Sequence, residues 1–463
     1  MATNARGLQA VRAPELCELG AVDAACGIRD GLFSSEQLVQ SCLDQIKAVD
    51  DKIQAWAFLD PEHALKQARE ADAHRREGKA LGSLHGVPVG IKDIIDTDDM
   101  PTEDGTVLHA GRAPVANATV VSRLREAGAV IMGKTVTTEL ATYAPGKTRN
   151  PRHPEHTPGG SSSGSAAAVA AGMVPLAVGT QTNGSVIRPA AYCGVYGYKP
   201  TFGLISRHGV LTQSPPLDQV GVMARCVEDL ALIAEALIGY DENDTATRPV
   251  PRPRLLEIAL QEPPLRPWLA FVKTPMWEQA EAQTQEAFAE LAEAIGGQVE
   301  EFTLPVHFKD AWEWHRAIME ADLARNFDQE YDKGRDKLSA SLRGQIERGC
   351  KVSAVEYNRA LGKIPALNRA LDELFDNRYD AILTPATTGV APRGLDSTGS
   401  PVFCTFWTLC GMPAVTLPLM QGGNGLPLGV QLVGRRGDDA RLLRTARWLV
   451  GHVQQVLAET AGQ

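Results

Sequence analysis

The length and composition of the chain are those of a globular protein with a sizeable core: 463 residues, 44% hydrophobic and 22% charged. Its formal net charge of −10 argues against unaided binding to nucleic acid or to an anionic membrane, because both require a basic face. Residues 1–20 lack the apolar segment of a signal peptide, and no run of about 18 residues is apolar, so we expect a cytoplasmic protein that acts on a small neutral molecule.

Two helices are predicted near the N-terminus. Ser34 and Gln37 form a capping box before an apolar spacing that continues to about residue 48. Asp60 is a good N-cap, Pro61 suits the first helical position, and Gly78 suits the C-cap. Both helices therefore have defined ends.

An alternation of strands and helices follows. The segment 84–95, LHGVPVGIKDII, is rich in Val and Ile and predicts a buried strand interrupted by Lys92. Asn117 is expected to cap a helix that ends at Gly128, and the apolar residues 129–132 predict the next strand. This order is typical of an α/β sheet.

The second half of the chain repeats this alternation after one candidate boundary. The Pro-rich stretch 248–267 interrupts the periodic pattern and is expected to be a surface connection without an apolar element. A strand, a helix and a strand come next, followed by helical patterns over roughly 308–378. The last predicted elements are strands at 380–386, 413–419 and 428–434 and a helix after Gly437.

The eight cysteines are scattered without a CxxC pair or neighbouring histidines, which predicts reduced thiols, no metal site and no cofactor. They are Cys17, Cys26, Cys42, Cys193, Cys226, Cys350, Cys404 and Cys410.

Two short motifs point to other functions but stand in the wrong context. Residues 128–135, GAVIMGKT, match a phosphate-binding loop, yet the first glycine ends a helix and the middle residues are strand-forming. Residues 160–164, GSSSG, match the nucleophile turn of α/β-hydrolases with Ser162 at its centre, but no strand precedes them. That fold also needs a downstream acid and histidine, and no distinctive setting surrounds His208, His307, His315 or His452. A flexible Gly/Ser linker is a further alternative, which the Ala- and Val-rich continuation disfavours.

Three segments together resemble the amidase signature family: GVPVGIKD at 86–93, GGSSSGSAAAVAAG at 159–172 and GTQTNGSVIRPA at 179–190. The similarity continues through GYKPTFGLIS, AILTPAT and CTFWTLCGMPAVTLPL, so it extends over roughly residues 30–450.

Matched position by position, the resemblance implies that Ser185 is the nucleophile, Ser161 a proton relay on a cis peptide bond, and Lys92 the base. The family holds its two serines 24 positions apart, as Ser161 and Ser185 are, whereas Ser162 or Ser163 would give 23 or 22.

Burial has to change the chemistry of the lysine. An ordinary lysine has a pKa of about 10.4 and serine is a weak nucleophile, so neither works alone near neutral pH. In an apolar strand Lys92 would lose the hydration of its ammonium form and become a neutral base. The alternative is an ordinary ion pair with Asp93 or Asp96.

The turn Thr182, Asn183, Gly184 is expected to bind substrate by aiming backbone N–H groups at the oxyanion. Gly184, like Gly159 and Gly160, also fits a purely conformational role. Arg188 fits a structural, ion-pairing arginine better than a substrate ligand, although in some relatives the matching arginine holds an acidic substrate group.

Two residues depart from the family pattern: Gln181 replaces Asp and Asn183 replaces Gly. Asn tolerates the left-handed backbone region, so the turn can survive, but its side chain would either add a donor to the pocket wall or narrow the pocket. The substrates of other family members therefore do not identify the substrate of this protein.

These observations predict one α/β domain over 1–463, with a twisted mixed central sheet covered by helices on both faces. Its signature core lies at about 80–230, and a variable helical portion at about 300–380 shapes the substrate entrance. Five aromatic residues are expected to pack in the core rather than to line the pocket: Trp312, Trp314, Phe403, Phe406 and Trp407.

The predicted function is hydrolysis of a small-molecule carboxamide C–N bond with release of ammonia or an amine. Two alternatives within the family are the glutaminase subunit of a tRNA-dependent amidotransferase and a ureide hydrolase of the biuret or allophanate type. An inactive binding protein is a third, disfavoured by the presence of all three catalytic positions. The sequence leaves a homodimer open.

Overall fold

The computed structural model describes residues 15–305 and 308–461, so the N-terminal segment used to predict the compartment lies largely outside the described residues, as does His307. An eleven-stranded sheet forms the centre of the molecule. Its strands are β1 (Trp56–Leu59), β2 (Pro88–Lys92), β3 (Val130–Thr135), β4 (Leu176–Gln181), β5 (Tyr196–Lys199), β6 (Gln219–Ala224), β7 (Leu269–Val272), β8 (Val299–Phe302), β9 (Ala381–Pro385), β10 (Ala414–Gln421) and β11 (Pro427–Val433).

The sheet is mixed, with the strand order β1-β3-β2-β4-β6-β5-β10-β11-β9-β7-β8. Strand β2 runs parallel to β3 and β4, and β7 runs parallel to β8 and β9, whereas the remaining neighbours are antiparallel. The pairing of β5 with β10 joins the two halves of the chain, so the Pro-rich stretch 248–267 does not divide the protein, which is one large domain.

Fifteen helices surround this sheet in the described part of the chain. They are α1 (Ala21–Arg29), α2 (Ser35–Ile53), α3 (Pro61–Arg76), α4 (Thr119–Glu126), α5 (Ser163–Ala170), α6 (Ile187–Cys193), α7 (Val227–Leu237), α8 (Leu255–Ala259), α9 (Ala282–Ile295), α10 (Ala311–Asn326), α11 (Asp328–Gly334), α12 (Ala340–Gly349), α13 (Ala354–Asn377), α14 (Val402–Leu409) and α15 (Asp439–Ala461). Among them, no helix combines the length and apolar character that crossing a bilayer requires.

The predicted helix starts at Ser34 and Asp60 are confirmed, because each side chain accepts a hydrogen bond from a backbone N–H of the first turn. Two other expectations were wrong. Asn117 does not cap α4; its side-chain oxygen accepts from the N–H of Asp98 at 3.1 Å. The Pro-rich stretch also contains α8, whose Leu255 and Ala259 are buried, so it does add an apolar element.

Helices cover both faces of the sheet. Successive residues of a strand point to opposite faces, and they pack into different hydrophobic clusters. Leu269 and Phe271 of β7 belong to one cluster, and Ala270 and Val272 belong to another. Strands buried on both faces are typical of an α/β architecture, and the near-continuous apolar runs of the sequence follow from it.

The two short motifs that match other protein families, GAVIMGKT and GSSSG, have structural roles in this fold. Lys134 of GAVIMGKT lies inside β3, fully buried, and its Nζ donates to Thr102 Oγ1 at 2.7 Å. Ser162 of GSSSG accepts a hydrogen bond from the N–H of Thr180 at 3.2 Å and so ties the start of α5 to β4. The described segment 136–162 contains no strand that leads into Ser162, so Ser162 is not on a nucleophile turn.

Candidate active site

Lys92 is the last residue of β2 and is fully buried. Its Nζ donates to Ser161 Oγ at 2.7 Å and to Thr180 Oγ1 at 2.8 Å. Burial, opposed by the charge of Asp218 and reinforced by that of Arg188, holds the pKa of Lys92 well below its usual value. Such an amine is neutral in a pH range where an exposed lysine is charged.

The ion pair considered for Lys92 is not formed by either neighbouring aspartate. Asp96 pairs with both terminal nitrogens of Arg112, at 2.6 and 2.8 Å. Asp93 accepts a hydrogen bond from the N–H of Glu103 at 3.2 Å. Asp93 lies in the turn that follows β2.

Ser161 lies between Lys92 and the turn that carries Ser185. The peptide bond between Gly160 and Ser161 is cis, as the resemblance implies. The N–H of Ser162 donates to the carbonyl oxygen of Ser185 at 3.3 Å, so the two serine-bearing segments are in direct contact. Lys92 and Ser161 are therefore in contact, and the segment that carries Ser161 adjoins the turn that carries Ser185.

Ser185 lies in the turn between β4 and α6. Within the described residues, the backbone N–H groups of Asn183, Gly184 and Ser185 donate to no protein acceptor. Unpaired donors at the start of a helix suit a developing negative charge. Gly184 has no positive φ; a Cβ there would come within 3.0 Å of Pro401, so the glycine permits close approach to the start of α14.

Gln181 keeps this turn in place although it replaces an acidic residue. Its Oε1 accepts from the N–H groups of Val186 and Ile187 at 2.8 and 3.0 Å, and its Nε2 donates to Thr408 Oγ1 at 2.9 Å. Thr408 in turn donates to the carbonyl oxygen of Asn183 at 2.5 Å. A neutral amide thus caps α6, where a carboxylate would have added a negative charge.

The second departure, Asn183, narrows the pocket. Its Nδ2 donates to the Tyr143 hydroxyl at 2.9 Å and its Oδ1 accepts from Thr405 Oγ1 at 2.7 Å, so its oxygen and one of its N–H donors are engaged by protein partners. The expected left-handed backbone is not there, because Asn183 does not have a positive φ. Asn183 and Ser185 border a small cavity of about 10 Å³, together with the loop 141–143 and side chains of α10 and α12.

Three hydrogen-bond partners of Thr182 had no sequence signal. Thr182 Oγ1 lies 2.6 Å from both Gln213 Oε1 and Asp218 Oδ1, and its carbonyl oxygen lies 2.9 Å from Nε2 of His315 on α10. Burial lowers the pKa of His315 to about 4, so the ring is neutral and its Nε2–H donates. His315 therefore supports the turn from behind, across 133 positions of sequence.

Arg188 on α6 was expected to form an ion pair, and this was wrong. The side chain is buried; its Nη2 donates to the carbonyl oxygen of Gly160 at 2.7 Å and to Thr398 Oγ1 at 3.2 Å. Nε and Nη1 have no partner in the described residues. Arg188 therefore holds the peptide that carries Ser161, and its charge contributes to the low pKa of Lys92.

None of the five aromatic residues borders the cavity at Ser185. Phe403, Phe406 and Trp407 of α14 are buried in the core, and Trp312 and Trp314 pack against it. The expectation of core packing is confirmed.

The low pKa of Lys92 has a consequence for stability. A lysine that is neutral when folded and charged when unfolded lowers stability between its two pKa values, and this loss disappears as pH rises towards 10.5. As pH rises towards 10.5, the wild-type protein should therefore gain up to about 1.4 kcal/mol per pH unit in unfolding free energy relative to Lys92→Met. Urea unfolding of both proteins across this range measures the difference, and parallel curves would contradict a neutral Lys92.

Comparisons with known proteins identify the family to which the chain belongs. The family model named Amidase matches residues 37–443. The chain is 36% identical to the A subunit of glutamyl-tRNA(Gln) amidotransferase from Chloroflexus aggregans (strain MD-66 / DSM 9485), covering 93% of this chain and 95% of that protein. It is 35% identical to the protein of the same name from Anaeromyxobacter sp. (strain K), covering 94% and 96%.

Solved structures give the same result. The peptide amidase of Stenotrophomonas maltophilia superimposes with a TM-score of 0.81 at 29% identity, covering 94% of this chain and 97% of that one. A protein from a vestigial complex, described as revealing the evolutionary origins of an s-triazine catabolic enzyme, has a TM-score of 0.87 at 26% identity and covers 96% and 98%. The family match over residues 37–443 and the nearly full-length similarity to these relatives show that the chain belongs to the amidase signature family.

Proposed function

We propose that this amidase hydrolyses a carboxamide C–N bond through an acyl-enzyme on Ser185. The observation that carries the proposal is the buried contact of Lys92 Nζ with Ser161 Oγ at 2.7 Å, beside the turn that holds Ser185. A buried amine with a lowered pKa is the proton acceptor that an unactivated serine needs. An inactive binding protein would have no use for this arrangement.

The proposed reaction has two halves. Ser185 Oγ attacks the amide carbonyl carbon while its proton passes to Ser161, whose own proton passes to Lys92. The negative charge that develops on the substrate oxygen is stabilised by the free N–H groups of Asn183, Gly184 and Ser185. Lys92 then returns the proton through Ser161 to the leaving nitrogen, the C–N bond breaks, and water releases the acid by the same path in reverse.

The remaining candidate residues have supporting roles in this proposal. Thr182 and Gly184 shape the oxyanion turn, and Asn183 sets the width of the cavity. Arg188 does not border the cavity, so we assign it to positioning: it fixes the Gly160 carbonyl next to Ser161. Its positive charge also favours the neutral form of Lys92.

The curated relatives favour a second candidate, a glutaminase subunit that supplies ammonia within a larger assembly. The proteins at 36% and 35% identity both carry the name of the A subunit of glutamyl-tRNA(Gln) amidotransferase, and their full length is nearly covered. In that case the scissile bond is the side-chain amide of glutamine, and the chemistry at Ser185 is unchanged. The two candidates differ in substrate and in the need for a partner.

One experiment separates them. The purified chain is assayed for ammonia or amine release from glutamine, aliphatic and aryl amides, dipeptide amides and ureides, and its mass in solution is measured in parallel. We expect turnover of a non-glutamine amide by the isolated chain. Activity restricted to glutamine, and dependent on added partner proteins, would favour the glutaminase, and selective turnover of ureides would favour the ureide hydrolase.

A further inference from the structure

The cavity beside Ser185 is bordered on its far side by two helices of the portion that follows β8. Met319 and Leu323 of α10 give this wall an apolar surface, and Gln345 of α12 is its polar member. Among the described residues that border the cavity, no side chain is charged. A charged substrate group would therefore be desolvated there without an opposite charge to compensate it.

Gln345 is buried, with 3% of its surface exposed, yet its amide oxygen is unused by the protein. This Oε1 has no hydrogen-bond partner among the described residues. Leaving a buried polar group unpaired costs roughly 1–3 kcal/mol, so buried amides in native proteins almost always have partners. Gln345 borders the cavity next to Ser185, so a ligand in this cavity can supply the hydrogen-bond partner that its Oε1 lacks.

The backbone under Gln345 is well fixed. Leu342 and Ile346, on the same helix, are buried in the core. The N–H of Ser339, the N-cap of α12, donates to both carboxylate oxygens of Glu139 at 3.1 and 3.2 Å. Glu139 begins the short segment that leads into the cavity loop 141–143, so α12 and one wall of the cavity are tied together.

We propose that Gln345 is a specificity-determining residue that pairs through its side-chain amide with a second, uncharged amide group of the substrate. Its Oε1 accepts from the substrate N–H, and its Nε2 can donate to the adjoining carbonyl oxygen. This rests on the proposed function, in which Ser185 attacks the other amide. The substrate class is thus a neutral molecule with two amide-type groups rather than a zwitterionic amino acid.

The test uses substrate pairs that differ in a single N–H. N-acetyl amino acid amides with different spacings between the two amide groups are compared with their ester twins. In each ester twin, an oxygen atom replaces the inner N–H. Acetoxyacetamide, for example, is the ester twin of N-acetylglycinamide. Ammonia release from the common terminal amide gives kcat/KM. In the wild-type protein we expect the best amide to exceed its ester twin by about 10- to 100-fold, because the ester leaves Gln345 Oε1 unpaired.

Gln345→Met should reduce this ratio to about one while Ser185 still reacts with a fluorophosphonate probe. Gln454→Met, an exposed glutamine on α15, is the matched control and should leave the ratio unchanged. An unchanged ratio in Gln345→Met, equal rates for amide and ester in the wild-type protein, or turnover of neither by a protein whose Ser185 is labelled would overturn the proposal. Failure of the probe to label Ser185 would instead refute the proposed function.

Discussion

Ser185→Ala should abolish formation of the acyl-enzyme and lower kcat/KM by on the order of 10⁴- to 10⁶-fold, the effect expected when a serine nucleophile is removed. Ser162 is the rival nucleophile by sequence, but its hydroxyl is engaged with the backbone of Thr180. The measurement is intact-mass spectrometry after reaction with a fluorophosphonate, which should add one label to the wild-type protein and none to the variant.

Ser163→Ala is the matched control for this variant. Ser163 lies one residue beyond Ser162 and donates to the carbonyl oxygen of Val136 at 3.3 Å, away from the cavity-lining residues. The Ser163→Ala variant should be labelled by the fluorophosphonate at Ser185, like the wild-type protein. A label on Ser162 with Ser185 unmodified would contradict the assignment and favour the α/β-hydrolase alternative.

Lys92→Ala should lower kcat/KM by on the order of 10³- to 10⁴-fold, because general-base catalysis is lost while the cavity and the oxyanion turn remain. Lys92→Arg should be no better, since a guanidinium does not give up its proton in this range. In the wild-type protein kcat/KM should rise with pH through an apparent pKa below the usual lysine value, because only the deprotonated amine can accept the serine proton.

A variant of a second buried lysine, Lys199, is the control that distinguishes a loss of catalysis from a loss of stability. Lys199 is fully buried, burial lowers its pKa to about 7, and its Nζ donates to Gln219 Oε1 at 2.7 Å. Lys199→Met should lower the unfolding temperature yet keep the pH profile of kcat/KM in the remaining folded protein. An active Lys92→Arg enzyme would overturn the role given to Lys92.

The sequence by itself determined most of the elements and the candidate reactive positions. The apolar run around Lys92 predicts its place at the end of a buried strand, because such patterns act over a few residues. The capping box at Ser34 was readable for the same reason. A contact between residues that are close in the chain can be predicted from the local sequence. The choice of Ser161 and Ser185 came from the resemblance to the family, whose two serines are also 24 positions apart.

The tertiary structure alone decided how those positions are supported and what the pocket admits. Arg188 binds a backbone carbonyl rather than an acid, and the side chain of Asn183 is held by Tyr143 and Thr405, so it narrows the cavity and uses one of its N–H donors within the protein. His315 and Gln345, without any motif of their own, reach the turn and the cavity from helices that lie more than a hundred positions away in sequence. Such pairings depend on how the helices pack against the sheet, and packing is a property of the whole core that no local pattern encodes.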